Sequence, residues 1–278
     1  MKIAYLLATR GNPLMAGATI ELARLNASGK HEIEFLIGAD RDDKATIKYF
    51  WNHYPDITVS VADRSPTLGS VWNRLAACST ADAFCPLGDH VFIVSPNWDE
   101  AISKFCPQGS VSIVAFTDSA TPQTATYPVI SRGWYELAGL YTDYFPFWFD
   151  DTWIEETWQF MTGQRIYISN QLQLLNKHTK TRRMRDLRFW WSFFAALRPE
   201  RMAIAARIRK AVGVEPLTPA LLELVRREWE LRDDRHLIQV DEIQMAFGGA
   251  PQGAPSSEYL VALDAAKTRL RQLSVRAA

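Results

Sequence analysis

The chain has 278 residues, is 47% hydrophobic and carries no formal net charge. That length supports one large domain, or one domain with an appendage, and the neutrality gives no argument for nucleic acid as a partner. Three cysteines, Cys78, Cys85 and Cys106, lack Cys-x-x-Cys spacing and argue against a disulfide framework or a zinc knuckle. They read as small buried apolar residues in a reducing compartment.

The neutrality hides an uneven distribution. Residues 1–176 carry 12 Lys/Arg and 19 Asp/Glu, a net of −7. Residues 177–210 carry 11 basic and 2 acidic residues, a net of +9, and residues 211–278 carry 8 and 10, a net of −2. The first apolar run ends at Thr9-Arg10, so no signal-peptide pattern opens the chain. The apolar block from Phe189 to Leu197 falls far short of the roughly 20 residues that span a bilayer. A cytoplasmic protein, membrane-peripheral at most, is the expectation.

Lys2 to Ala8 is a nearly continuous apolar run, which suits a central parallel strand covered on both faces. Asn12 and Pro13 then suit a helix N-cap and first helical position, and Leu14, Ala18, Leu22 and Leu25 form its stripe. A strand follows over 31–37, closing with Gly38-Ala39-Asp40. A helix over 42–53, a strand over 57–61 with Asp63 beyond it, and a helix over 67–78 come next. The stretch from Ala83 to Val94 reads as the fourth strand, interrupted by Asp89-His90. A helix over 96–105 and a strand over 110–116 complete the regular alternation.

Alternating strands and helices mark an α/β domain with a largely parallel sheet. In such sheets ligands sit beyond the carboxyl ends of the strands. Thr9, Arg10, Asp40, Asp63 and Asp89 all lie at those ends and share one edge if the strands are parallel. This convergence is the strongest functional signal in the residues themselves. The phosphate cradles of dinucleotide folds and P-loops are absent, because Thr9-Arg-Gly-Asn-Pro13 matches neither pattern. Diphosphate binding through a divalent cation fits better, with oxygen ligands and, for manganese, an imidazole.

Beyond residue 116 the pattern loosens. A loop over 118–126, a short strand over 127–130 and a short helix over 133–140 lead to Tyr144-Phe-Pro-Phe-Trp-Phe-Asp150-Asp151. A helix over 152–161 carries Trp153, Ile154, Trp158 and Met161, and a strand covers 165–169. From Leu187 onward only helical patterning is seen, with a loop over 248–255.

The sequence resembles the family 2-like glycosyltransferases of the GT-A, or nucleotide-diphospho-sugar transferase, fold. The resemblance rests on Ala8-Thr9-Arg10-Gly11-Asn12-Pro13 after the first strand and on Gly38-Ala-Asp40 after the second. It rests further on Leu68-Gly-Ser-Val-Trp-Asn73-Arg74 leading to Leu87-Gly-Asp89-His90, on Tyr144 to Asp151, and on Asn176-Lys-His178 with Asp186 beyond. It covers about residues 1–186. It departs from the family where Gly88-Asp89-His90 stands for Asp-x-Asp, and where Asp150-Asp151 stands for the commoner Glu-Asp.

The resemblance implies a GT-A-like α/β domain over 1–186 with a C-terminal helical region over 187–278. It implies metal-dependent, inverting transfer of a sugar from a nucleotide-diphosphate donor, UDP-sugar favoured, to the hydroxyl of a glycan or lipid-linked acceptor. Thr9, Arg10, Asp40, Asn73 and Asp89 would bind the donor. Asp89, His90 and His178 would hold Mn2+ or Mg2+. Asp151, with Asp150 the runner-up, would be the general base, since adjacent carboxylates among aromatics can raise one another's pKa. Against this stands helix capping at Thr152 by either Asp. Trp148, Trp153 and Trp158 could stack on a sugar ring, with Trp158 reading more as core.

The basic segment has two readings. Its arginines and the aromatics Phe189, Trp190, Trp191, Phe193 and Phe194 form a peripheral membrane contact through 182–194, or the aromatics pack while the arginines face solvent or the diphosphate. A short aromatic helix is an ordinary core element, which favours packing. Two other functions compete with the transferase: a nucleotidyltransferase on a related fold, and a non-catalytic carbohydrate-binding or assembly protein on a degenerate transferase scaffold.

Overall fold

The computed structural model describes residues 1–177, 185–247 and 253–277. The chain forms two compact units, one made of Met1–Tyr141 and the strand segment beginning at Ile166, the other of Thr142–Arg165 and the C-terminal helices. Residues 142–165 thus cluster with the C-terminal helices, and the division differs from a boundary at 186.

The first unit is an α/β layer structure. Its elements run β1 (Lys2–Ala8), α1 (Pro13–Asn26), β2 (Glu32–Asp40), α2 (Lys44–His53), β3 (Thr58–Ala62), α3 (Leu68–Ala77), β4 (Ala83–Gly88) and β5 (Val91–Ile93). They continue with α4 (Trp98–Phe105), β6 (Ile113–Asp118), β7 (Pro128–Ser131) and α5 (Arg132–Ala138). After α6 (Asp150–Thr162), which belongs to the second unit, β8 (Tyr167–Asn176) returns to the sheet. The eight strands lie in the order β3-β2-β1-β4-β7-β6-β8-β5. Parallel pairing joins β3, β2, β1 and β4, and also β6 with β8; β7 and β5 are antiparallel to their neighbours.

The apolar run of β1 is explained by burial on both faces, with Ile3 to Leu7 wholly inaccessible. Ile3, Tyr5 and Leu7 join Phe35, Ile37, Cys85 and Leu87 under α1 and α2. The alternate residues face the other side, where Phe84 meets Tyr135 of α5 and the indole N–H of Trp72 in α3 reaches the Leu87 carbonyl. Asp43 and Thr67 cap α2 and α3 through their side chains. Asn12 stands at the N-cap of α1 but makes no side-chain cap bond.

One expectation is corrected. Residues 83–94 do not form one interrupted strand. β4 lies beside β1, whereas β5 pairs with β8 at the far edge of the sheet, so Asp89-His90 is the turn between two separated strands. The last strand is also longer than expected, because its second half is needed to pair β5.

The second unit is helical: α6 followed by α7 (Leu187–Ala196), α8 (Arg198–Val212), α9 (Pro219–Ile238), α10 (Val240–Phe247) and α11 (Ser257–Ala277). Its core gathers Phe145, Phe149 and Trp153 with Leu187, Trp190, Trp191, Phe193 and Phe194 of α7 and Tyr259, Ala262 and Ala266 of α11. Trp190, Trp191, Phe193 and Phe194 of α7 are therefore buried in packing, and Phe189 is half-buried. Of the arginines beside the aromatics, Arg188 is exposed and Arg185 half-buried, while Arg182 and Arg183 lie outside the described residues; further along the basic segment Arg198, Arg201 and Arg209 are buried. Arg198 Nε binds Glu156 at 2.6 Å, its Nη2 binds Asp233, and Arg201 Nε lies 2.7 Å from Glu156. The Arg201 guanidinium covers the ring of Phe194 at 3.9 Å and that of Trp153 at 4.9 Å. Among the described residues no helix is long and apolar enough to cross a membrane.

Candidate active site

In the first unit the parallel register places Ala8 opposite both Gly38 and Gly88. The residues that follow these three positions lie at one edge of the sheet, β2 running two residues further, to Asp40, against β3. Thr9 Oγ1 donates to Asp89 Oδ2 at 2.8 Å, tying the end of β1 to the turn after β4. Arg10 Nη1 reaches Asp40 at 2.6 Å, and its two terminal nitrogens grip both oxygens of Asp42 at 2.7 Å. The Gly11 N–H donates to Asp43 Oδ2 at 2.7 Å, fastening the loop after β1 to the loop after β2. These bonds hold Asp42 down at a pKa of about 2, chiefly through Arg10. Asp63 lies at the same edge, paired with Arg41 at 2.7 Å. Thr9, Arg10, Asp40 and Asp89 are thus brought together.

Asn73 is placed differently. Its amide both donates to and accepts from the Tyr141 backbone at 2.9 Å, so it clamps the end of the first unit. Its neighbour Arg74 sits close to Gly38, where a Cβ would lie 3.6 Å from Nη2 and 2.4 Å from Val71 Cγ1. Glycine at 38 therefore lets α3 approach the end of β2. Burial lowers the pKa of Arg74, and nothing in the sequence beyond its place next to Asn73 pointed to it.

Asp89 is largely buried, while His90 is open at 39% of its side-chain surface. His90 Nδ1 stands 3.4 Å from Asp89 Oδ1, the oxygen not taken by Thr9. The ring lies over Gly88, where a Cβ would be 3.0 Å away. One carboxylate oxygen beside one imidazole fits a manganese-type ion that draws its remaining ligands from phosphate and water. Among the described residues no group of three or more His, Cys, Asp or Glu side chains converges on a metal position. His178 lies outside the described residues; Lys177, just before it, donates its N–H to the His90 carbonyl at 3.0 Å. The sequence reading also missed Asp118, buried at the end of β6, which accepts from Asn176 Nδ2 at 2.9 Å.

In the second unit, Asp150 and Asp151 open α6. Neither is its N-cap, as capping at Thr152 would have required. That position is Phe149, which has φ 70° and follows Trp148 at φ 53°. Two successive aromatic residues in the left-handed region carry backbone strain of about 1–3 kcal/mol each, which the surrounding packing must hold. The strained pair sets both carboxylates within the first helical turn, where the helix dipole favours negative charge. Burial nevertheless dominates. It raises Asp150 well above the usual carboxylate range, with the charges of Asp151 and Asp143 adding to it. Asp150 Oδ1 is buried without a hydrogen-bond partner. Asp151 is partly open, accepts from the Thr152 N–H at 2.7 Å, and is raised by burial to about 6. The two carboxyls are therefore unlike: burial pushes Asp150 well above the usual range, and Asp151 is raised to about 6, ionised at neutral pH yet more basic than an ordinary aspartate. Trp148 is half-buried, Trp153 is core and unavailable for stacking on a sugar, and Trp158 is half-buried.

No protein-family model and no curated protein matches the sequence. Solved structures do. The mannosyltransferase PcManGT from Pyrobaculum calidifontis, in complex with GDP-Man and Mn2+, aligns at a TM-score of 0.53 and 11% identity, over 98% of this chain and 82% of that one. S. aureus TarS 1–349 in complex with UDP aligns at 0.61 and 11% identity, over 88% and 75%. TarS 1–349 on its own aligns at 0.61 and 12% identity, over 98% and 81%. With this sheet, its flanking helices and its C-terminal helical region, the chain has the fold of the GT-A glycosyltransferases.

Proposed function

We propose that this protein is a metal-dependent, inverting glycosyltransferase that moves a sugar from a nucleotide-diphosphate donor to a hydroxyl acceptor on a glycan or lipid-linked substrate. The observation that carries the reading is the convergence of Thr9, Arg10, Asp40 and Asp89 at the carboxyl edge of a GT-A-type sheet. Structural neighbours with this fold hold GDP-Man with Mn2+ and UDP. A UDP-sugar is the favoured donor. Asp40 and Thr9 meet the nucleoside side of the donor, and Asp89 with His90 would hold the cation. Such an ion, Mn2+ or Mg2+, would offset the charge gathering on the departing nucleoside diphosphate.

Asp151 takes the proton from the acceptor hydroxyl as the oxygen attacks the anomeric carbon. A carboxylate raised to about 6 is ionised at neutral pH yet more basic than an ordinary aspartate. Burial disfavours charge on the neighbouring Asp150 more strongly, so Asp151 is the better placed of the two to act as the ionised base. One base acting opposite the leaving group gives inversion.

A thermal-shift screen of UDP-, GDP-, dTDP- and CDP-sugars with and without Mn2+ tests the proposal on the wild type and Asp89→Ala. A ligand that binds only the folded state raises the melting temperature by mass action. Stabilisation by one donor, dependent on metal and lost in Asp89→Ala, is the expected result. No shift with any donor, from a folded protein, would overturn it.

A further inference from the structure

Strand β8 breaks its register with β6 inside the first unit. Phe116 stands opposite Ser169 and Thr117 opposite Gln173, so Asn170, Gln171 and Leu172 form a bulge. The bulge is tied down. The buried Ser169 accepts the Gln171 N–H on its Oγ at 3.2 Å and the Thr117 hydroxyl on its carbonyl at 2.9 Å, and Leu172 is wholly buried. What it turns outward is polar, since Asn170 and Gln171 are exposed.

These two residues line one wall of a groove of about 640 Å³, within the range of small-ligand sites. The other wall is α4, where Asn97, Glu100, Ala101 and Lys104 recur at helical spacing on one face. Asn97 is exposed, sits at φ 54° and makes no cap bond to its own helix, so its amide is not spent on the fold. Gln173 donates its amide N–H to the Asn170 carbonyl at 2.9 Å, which fixes the orientation of that amide. Just past Lys104, the ring of Phe105 meets that of Tyr167 at 5.3 Å, and Tyr167 is 56% exposed.

The lining selects the kind of ligand. Glu100 is engaged by Lys30 at 2.9 Å, and among the described lining residues Lys104 is the only cation, too little charge for a phosphate chain. Apolar surface is confined to Val94, Pro96 and Ala101, too little for a lipid tail or an apolar helix. Side-chain amides both donate and accept, and with an exposed tyrosine ring beside them they suit an uncharged ligand rich in hydroxyls. The groove also stands away from the donor edge. The Asn97 N–H bonds to the carbonyl of Asn26, where α1 ends, whereas α1 begins beside the Thr9–Gly11 loop. From His90 along β5 to Ser95 the chain covers about 16 Å.

We infer that this groove is a separate binding site for a neutral oligosaccharide, at the end of the first unit opposite the edge that gathers Thr9 and Asp89. It does not rest on the transferase reading. An open groove of this kind binds weakly, on the order of 1 mM.

Saturation-transfer NMR titration of the full chain tests this with cellohexaose, maltohexaose, mannohexaose and chitohexaose, and with hexagalacturonate as the charged counterpart. At least one neutral hexasaccharide binds, and more tightly than hexagalacturonate. Gln171→Ala and Asn97→Gly each weaken that binding about fivefold, the loss of one or two neutral hydrogen bonds. Both positions are exposed and glycine keeps the φ at 97, so the melting temperature stays that of the wild type. Asp89→Ala leaves the affinity unchanged, which separates this groove from the donor edge. No binding of any neutral hexasaccharide at about 10 mM, preference for hexagalacturonate, indifference to both groove substitutions, or loss of binding in Asp89→Ala would each overturn the inference.

Discussion

Replacing Asp151 by Asn should abolish transfer while making the protein more stable at neutral pH. Burial raises this carboxyl from an ordinary value of 3.8 to about 6. The folded state then binds the proton more tightly than the unfolded chain between those two values. Stability attributable to this group is full below about pH 3.8, declines as pH rises through the window, and has reached its lowest level above about 6. A shift of about two units corresponds to about 3 kcal/mol at roughly 1.4 kcal/mol per unit, and partial solvent access reduces this to about 1–3 kcal/mol. Asn removes the charge, keeps the size, and retains an oxygen for the Thr152 N–H. Urea unfolding of both proteins at pH 7.5 and at pH 4 measures the difference, alongside a transfer assay. At pH 7.5 Asp151→Asn should be the more stable, with a melting temperature higher by roughly 2–4 °C per kcal/mol, and at pH 4 the gap should close. A variant less stable than wild type at pH 7.5, or a gap that does not change with pH, would refute the placement of a charged group in a desolvating site.

For the same reason the pH profile of kcat/KM should show an acid limb near pH 6, with activity lost below it as Asp151 takes up its proton; a profile flat down to pH 4.5 would remove Asp151 as the base. Gly88→Ala places a methyl 3.0 Å from the His90 ring, so the imidazole must move. Metal-dependent donor stabilisation in the thermal-shift assay should weaken severalfold, while the melting temperature without ligand changes little. Arg201→Met leaves Glu156 short of a counter-charge inside the helical unit and should cost about 3–5 kcal/mol in urea unfolding. Adding Glu156→Leu makes matters worse, because Arg198 still needs that carboxylate.

The parallel half of the sheet was legible because its central strands β1 and β4 are buried on both faces and read as nearly unbroken apolar runs, with strand-helix alternation carrying β2 and β3. The shared edge followed from that, and the structure brings Thr9, Arg10, Asp40 and Asp89 to it. The turn at Asp89-His90 was not legible as such. Apolar residues stand on both sides of the pair, and what sends Val91–Ile93 to the far edge is β8, some eighty residues later. Asn73 was assigned by the resemblance, and its bonds to the Tyr141 backbone were not legible because that partner lies 68 positions away. The burial of Arg198 and Arg201 was not legible either, because arginine is rarely buried unless paired and their pairing residues Glu156 and Asp233 sit on other helices. Asp151 already stood before Asp150 from the sequence; the different burial of the two carboxyls is what adjacency does not encode.

The buried charges of the helical unit have a consequence for how it folds. Glu156 comes from α6, Arg198 and Arg201 from α8, and Asp233 from α9. Any assembly that lacks one of these helices strands an ion in an apolar interior, which costs more than leaving all four in water. Half-built forms of this unit are therefore poor resting places, and its helices are constrained to dock and to come apart together. Hydrogen exchange should report one opening free energy for the buried amides of α6, α8 and α9, with no ladder of separately melting helices among them.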